Sequence, residues 1–136
     1  MPAPWRAKAM TDRLTPARRL AERRGRDSET LAALWLLLHG HRILGRRIKT
    51  RAGEIDLVSL APFGPVCFIE VKARGGLRMA AEAVAGPQRA RIARAASLYL
   101  ATRPRLARRG ARFDIVAIAP RGWPRHFRDV WRAEDL

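Results

Sequence analysis

Two short runs carry charge where β-strands ordinarily carry apolar residues. GEIDLV occupies residues 53–58 and FIEVKAR residues 68–74. Side chains alternate faces along a strand. Glu54 and Asp56 are therefore expected on one face of the first run, with Ile55 and Leu57 on the other. In the second run Phe68, Glu70 and Lys72 share a face, opposed by Ile69 and Val71. If the runs pair as a hairpin, Asp56 and Glu70 converge beside Lys72, and their apolar neighbours set the register. Charges on a sheet face need compensation. One reading pairs Lys72 with Glu70 or Asp56 as a structural ion pair. The other gives the carboxylates to a hard divalent cation, Mg²⁺ or Mn²⁺, which takes oxygen ligands and fills its shell with water and substrate phosphate. Such a cation polarises a phosphoryl oxygen and activates water, while Lys72 positions that water or stabilises charge. That is the chemistry of phosphodiester hydrolysis. Structural ion-pair networks also occur, so spacing alone leaves both readings open.

The elements that must position these residues follow from periodicity and punctuation. Thr15 as N-cap and Pro16 at the first helical position open a helix over residues 16–38. It can run through or be interrupted at Gly25, and is expected to bury a stripe of Leu31, Leu34, Trp35 and Leu38 and to stop at Gly40. HRILGRRIK (41–49), GEIDLVSL (53–60) and VCFIEVKAR (66–74) read as strands, the last two joined by the turn-rich APFGP (61–65). Gly75 and Gly76 open a loop. Gly86-Pro87 starts a second helix with Ile92, Ala95, Ala96 and Tyr99 on one face. RPRLARRGAR (103–112) reads as a basic loop, RFDIVAIAP (112–120) as a fourth strand and HFRDVW (126–131) as a short last one. A strand–helix–strand passage favours a right-handed parallel crossover. The order α-β-β-β-α-β thus implies an α/β sandwich, a mixed β-sheet flanked by helices.

The 136 residues suit one domain, placed at 15–136 behind a loose basic tail at 1–14. An apolar content of 48% excludes a wholly disordered chain. Lys and Arg number 28 against 12 Asp and Glu, a net charge of +16 that calls for a polyanionic partner. The longest apolar run, LAALWLLL (31–38), falls short of the roughly 20 residues a bilayer span needs. No basic amphipathic helix with a broad apolar face is evident, and the N-terminus lacks a secretory pattern. The expectation is a soluble, cytoplasmic chain with a nucleic-acid partner and no membrane. Cys67, the single cysteine, reads as a small core residue. Lys72 is one of only three lysines beside 25 arginines, and a lysine amine, unlike guanidinium, can be tuned by its surroundings.

The motifs together resemble the YraN-like family of the PD-(D/E)XK nuclease superfamily, related to archaeal Holliday-junction resolvases. That resemblance rests on Glu29 after Gly25-Arg-Asp-Ser, on Gly53-Glu-Ile-Asp-Leu-Val58, on Phe68-Ile-Glu-Val-Lys-Ala-Arg74 and on Arg112-Phe-Asp-Ile-Val116. It spans about residues 25–131. It implies a restriction-endonuclease-like sandwich and a Mg²⁺- or Mn²⁺-dependent DNA endonuclease. Asp56 and Glu70 match its metal ligands, Lys72 its catalytic lysine and Glu29 a helix glutamate that completes the site. Gln88 matches a polar residue from the following helix. Two positions depart: Ser28 stands for a glycine, and Pro87 for a lysine beside Gln88.

Plainer roles stand beside these. Glu29 also suits a cap or dipole role near a helix start. Glu54 reads as an exposed strand-start residue with at most a supporting role at the site, and Asp114 as a structural partner of an arginine. His39, His41 and His126 lack metal-type spacing, and GGLRMA is no phosphate-binding loop. Trp35 reads as core, whereas Trp123 could pack or stack on a base. Arg46, Arg47, Arg51 and Arg74 are expected to contact phosphates without reading sequence, which does not separate DNA from RNA. A branched, two-fold substrate would suit a homodimer. The rival to catalysis is a nucleic-acid-binding module that keeps the fold without turnover.

Overall fold

The computed structural model describes residues 16–73, 86–119 and 123–132. The basic tail, the Thr15 cap, Arg74 and the Gly75–Gly76 loop lie outside them. The elements run α1 (Pro16–Leu38), β1 (Arg42–Thr50), β2 (Gly53–Leu60), β3 (Val66–Lys72), α2 (Gly86–Ala101), α3 (Pro104–Ala107), β4 (Ala111–Ala117) and β5 (Arg125–Trp131). The strands form a five-stranded sheet in sequence order. Only β3 and β4 are parallel, with α2 lying between them in the chain; the other neighbours are antiparallel. This is the expected mixed sheet flanked by helices. Among the described residues one element is additional: the basic loop contains the single turn α3, opened by Pro104 in its first turn.

Alternation along the strands feeds two cores. Val58, Phe68, Phe113 and Ile115 pack with Ile92, Ala95, Ala96 and Tyr99 of α2. Leu57, Cys67, Ile69 and Val116 pack with Ala32, Ala33 and Leu36 of α1. The helices therefore cover opposite faces of the sheet. The α2 face is the one its periodicity indicated.

The α1 face is not. The helix runs unbroken through Gly25, at a propensity cost of about 1 kcal/mol against alanine. It buries Ser28, Glu29, Ala32, Ala33 and Leu36 and leaves Leu31, Leu34 and Leu38 at 49%, 51% and 82% exposed. Trp35 is half-buried, its ring 4.2 Å from His39 and 6.1 Å from the exposed Trp123. The reason lies in the run LAALWLLL, which carries leucine on nearly every helical phase, so apolar spacing selects no single face. The face that wins has small residues that admit the sheet and a glutamate that must reach the sheet's charged end.

Asp114 anchors the other side of the sheet. Its buried carboxylate accepts two bonds from Arg112 (2.9 and 2.8 Å), one from Asp129 N–H (2.9 Å) and one shared with His126 Nε2 (2.7 Å). Four partners saturate a carboxylate. Burial alone would raise the Asp114 pKa, but these bonds outweigh it and hold the group down to about 2. His41, bonded to Ser59 Oγ at 3.0 Å, is pushed down to about 4, first by burial and then by the charge of His126. The structural roles expected of Asp114, His41 and His126 are the ones they have. Cys67 is buried, its thiol pushed up to about 11 by that burial.

No helix among the described residues is long and apolar enough to cross a membrane.

Candidate functional site

The site lies where the sheet forks. Pairing between β2 and β3 stops at Leu57–Ile69. Both strands continue, β2 held by β1 down to Gly53 and β3 held by β4 up to Lys72. In the fork, Asp56 Oδ2 accepts the Val71 N–H at 2.9 Å. A side chain thus takes the donor that a partner strand's carbonyl would otherwise satisfy.

The expected alternation of β2 slips at this point. Ile55 packs into the α2-side core and Leu57 into the α1-side core, so they do not share a face. On β1, between the paired positions Arg46–Leu57 and Ile48–Ile55, stands Arg47, with φ 49°. The left-handed conformation costs a non-glycine residue about 1–2 kcal/mol. It also delivers the guanidinium to Glu29 of α1, whose Oε2 accepts from Arg47 Nε at 2.6 Å. From the opposite face, Gln88 of α2 makes a long 3.5 Å contact to Glu70 Oε2.

The carboxyls repel one another in a poorly solvated place. Burial pushes Glu70 up to about 8; the charge of Asp56 adds to this and that of Lys72 opposes it. Asp56 is also raised, first by burial, with the Val71 N–H pulling it down and the charge of Glu29 raising it. Each carboxyl lies close enough to perturb the other. The pair titrates as a unit. Lys72 is half-buried, and among the described residues it forms no ion pair. Its ammonium is near enough to bias both acids without being locked to either.

This donor set suits a hard divalent cation. Asp56 and Glu70 supply carboxylate oxygens whose repulsion a cation would relieve. Among the described residues, no three of His, Cys, Asp and Glu form a metal-holding group. Water and substrate oxygens would have to complete the shell, as is usual for Mg²⁺. Glu29 is not grouped with the pair: its charge reaches both acids, but its carboxylate is bonded to Arg47.

Residues 28–118 match the family model described as uncharacterised protein family UPF0102. The chain belongs to the UPF0102 family. A UPF0102 protein of Paramagnetospirillum magneticum is 48% identical over 122 residues, covering 87% of this chain and 94% of that one. One of Parvibaculum lavamentivorans is 49% identical over 112 residues, covering 82% and 84%. One of Rhizobium johnstonii is 48% identical over 118 residues, covering 87% and 96%. The segment matching the UPF0102 model contains Glu29, Asp56, Glu70, Lys72 and Gln88.

Other expected residues of this UPF0102 chain are dispersed. Glu54 is exposed and in register with Lys49 of β1; its charge reaches Arg47. Arg46 donates to Thr30 Oγ1 at 2.8 Å. Arg51 stands at the β1–β2 turn, beside α2. Sequence reasoning missed the Arg47–Glu29 pair, because a left-handed arginine has no signature in residue type. It also missed Arg91, whose stem lies against Gly53: a Cβ there would come within 3.4 Å of Arg91 Cδ. The signal for that approach was the glycine opening GEIDLV.

Proposed function

We propose that the chain is a metal-dependent hydrolase of nucleic-acid phosphodiester bonds, with DNA as its substrate class and branched or processing intermediates the first substrates to try. The observation that carries this reading is the buried Asp56–Glu70 pair in the fork, with an unlocked lysine beside it. A structural ion pair would place the Lys72 ammonium on a carboxylate; here it makes no such pair among the described residues.

Asp56 and Glu70 are the residues that would hold Mg²⁺ or Mn²⁺. When bound, such a cation supplies positive charge to a phosphoryl oxygen and lowers the pKa of water. The chain's own groups do the rest. Holding a cation would require Glu70 in its ionised form, so binding would be linked to pH. The Val71 N–H fixes the Asp56 carboxylate, and Gln88 approaches an oxygen of Glu70. Lys72 projects fixed positive charge where negative charge grows on phosphate. Glu29, bridged to Arg47, holds α1 against the fork and keeps negative potential on the site. A substrate with two-fold symmetry would engage a homodimer.

The test is cleavage of labelled single-stranded, duplex, flap and four-way-junction DNA at low salt, with Mg²⁺ or Mn²⁺. Wild type, Asp56→Ala and Lys72→Ala run side by side. Metal-dependent cutting lost in both variants is the expected result. Binding by all three proteins without cutting would instead support the non-catalytic binding module.

A further inference from the structure

An open groove of about 910 Å³ runs between the β1–β2 turn and α2. Arg51 comes from the turn and Arg91 and Arg94 from the helix, around a floor that includes Ala52 and Leu98. All three arginines are exposed, and no ion pair or hydrogen bond is formed by any of them among the described residues. Among the described residues, no carboxylate lines the groove. Uncompensated guanidiniums facing one concavity raise the local positive potential and select an anion. One wall of the groove touches the strand that carries Asp56: the Arg91 stem lies on Gly53, the first residue of that strand.

We infer that this groove is a track for the phosphodiester backbone of a nucleic acid entering the Asp56–Glu70 site, with Arg51, Arg91 and Arg94 as its phosphate contacts. This rests on the nucleic-acid reading above and deepens it. Length fits: from Gln88 to Arg94 the helix rises about 9 Å, two to three phosphate steps at about 3.4 Å of axis per step. The chemistry of the lining fits backbone rather than base recognition. Among the described residues it offers no aromatic ring on which a base could stack and no Asn or Gln to read a base edge. Contacts here are therefore independent of sequence. An acidic helix of a protein partner would also meet the arginines. The net charge of +16 and the contact of Arg91 with the strand that carries Asp56 favour the nucleic acid.

The experiment is fluorescence anisotropy of a labelled mixed-sequence duplex without divalent cations, across a series of NaCl concentrations. It compares wild type, Arg51→Gln/Arg91→Gln/Arg94→Gln, and a control, Arg125→Gln/Arg128→Gln, on β5 at the opposite sheet edge. Loss of three phosphate contacts should reduce the slope of log K against log salt by about 2.7, while the control changes it by less than about 1. Thermal melting of the triple variant should match wild type, because the three side chains are exposed. Weakening should be the same on an unrelated duplex sequence. A wild type that binds, with the triple variant keeping its full slope, overturns the groove alone and turns its arginines over to another anion, such as an acidic helix. A wild type with no affinity for any nucleic acid overturns the nucleic-acid reading and the groove together.

Discussion

Glu70→Gln should stabilise the metal-free protein in alkali. In the folded chain burial raises the Glu70 carboxyl from 4.5 to about 8, with the Asp56 charge adding to it. A carboxyl raised on folding gives stability that is fully present below its unfolded pKa and lost as pH rises through its folded one. For Glu70 that window runs from about 4.5 to about 8. Each pKa unit corresponds to about 1.4 kcal/mol. Between pH 6 and pH 9, ionisation of Glu70 should therefore cost the wild type about 2–3 kcal/mol. Glutamine keeps the shape and cannot ionise, and it also relieves Asp56 of a neighbouring charge. The assay is urea unfolding of both proteins in chelator at pH 6 and pH 9. Pairing the curves cancels the titration of groups common to both. The stability difference should move toward the variant by about 2–3 kcal/mol on going to pH 9. Adding Mg²⁺ at pH 9 should then raise wild type and leave Glu70→Gln nearly unmoved, since a ligand stabilises only the state that binds it. Parallel pH dependences in chelator would refute the argument that Asp56 and Glu70 are buried against one another.

Three further outcomes follow from particular contacts. Lys72→Met should abolish cleavage yet change the unfolding free energy by less than about 0.5 kcal/mol, because its ammonium holds no ion pair among the described residues; a loss of about 3 kcal/mol in urea unfolding would mark it as structural. Asp114→Asn should cost about 3–5 kcal/mol by leaving Arg112 and His126 uncompensated. It should also flatten the acid limb of the stability profile, since a carboxyl held at about 2 gives stability present above its unfolded pKa and lost as pH falls through about 2. Leu36→Ala should cost about 2–5 kcal/mol, whereas Leu34→Gln, at a half-exposed position, should stay within about 1 kcal/mol, and a reversed order in denaturant midpoints would restore the leucine stripe as the core face.

How far the residues alone disclose this protein depends on what each inference asks of them. The hairpin of β2 and β3 was legible because two alternating runs flank a five-residue turn-rich segment, and period-2 patterning with Gly and Pro between leaves few other pairings. The face of α2 was legible because its interior arginines leave only Ile92, Ala95, Ala96 and Tyr99 as a continuous apolar side. The face of α1 was hidden by excess, since leucines on several phases make the periodicity degenerate. What decides between those phases is Glu29, a polar residue that must turn inward to meet Arg47. A rule that scores apolar spacing alone counts that residue against the correct face.

The fork was illegible for a related reason. Strict alternation would keep Ile55 and Leu57 on one face and close the β2–β3 ladder past Asp56. The structure instead slips between Ile55 and Leu57, where neighbouring β1 carries a left-handed Arg47, and gives the Val71 N–H to a carboxylate. Each departure costs stability by itself: a strained arginine of about 1–2 kcal/mol, lost ladder bonds, and two acids raised above their ordinary range. A protein under pressure for stability alone would replace the acids by valine and close the sheet. Sites that break local rules together, in one place, and with one consequence are where function is expected to sit. The consequence here is a pair of oxygen donors held apart from the ladder, biased by a lysine that is not spent on them. Asp56→Val should accordingly be a gain in stability and a loss in everything the fork is for; urea unfolding of that variant at pH 8 should give a midpoint above wild type. A lower midpoint would mean that the Val71 N–H needs Asp56 more than the pair needs relief, and the fork would then be architecture and not a site.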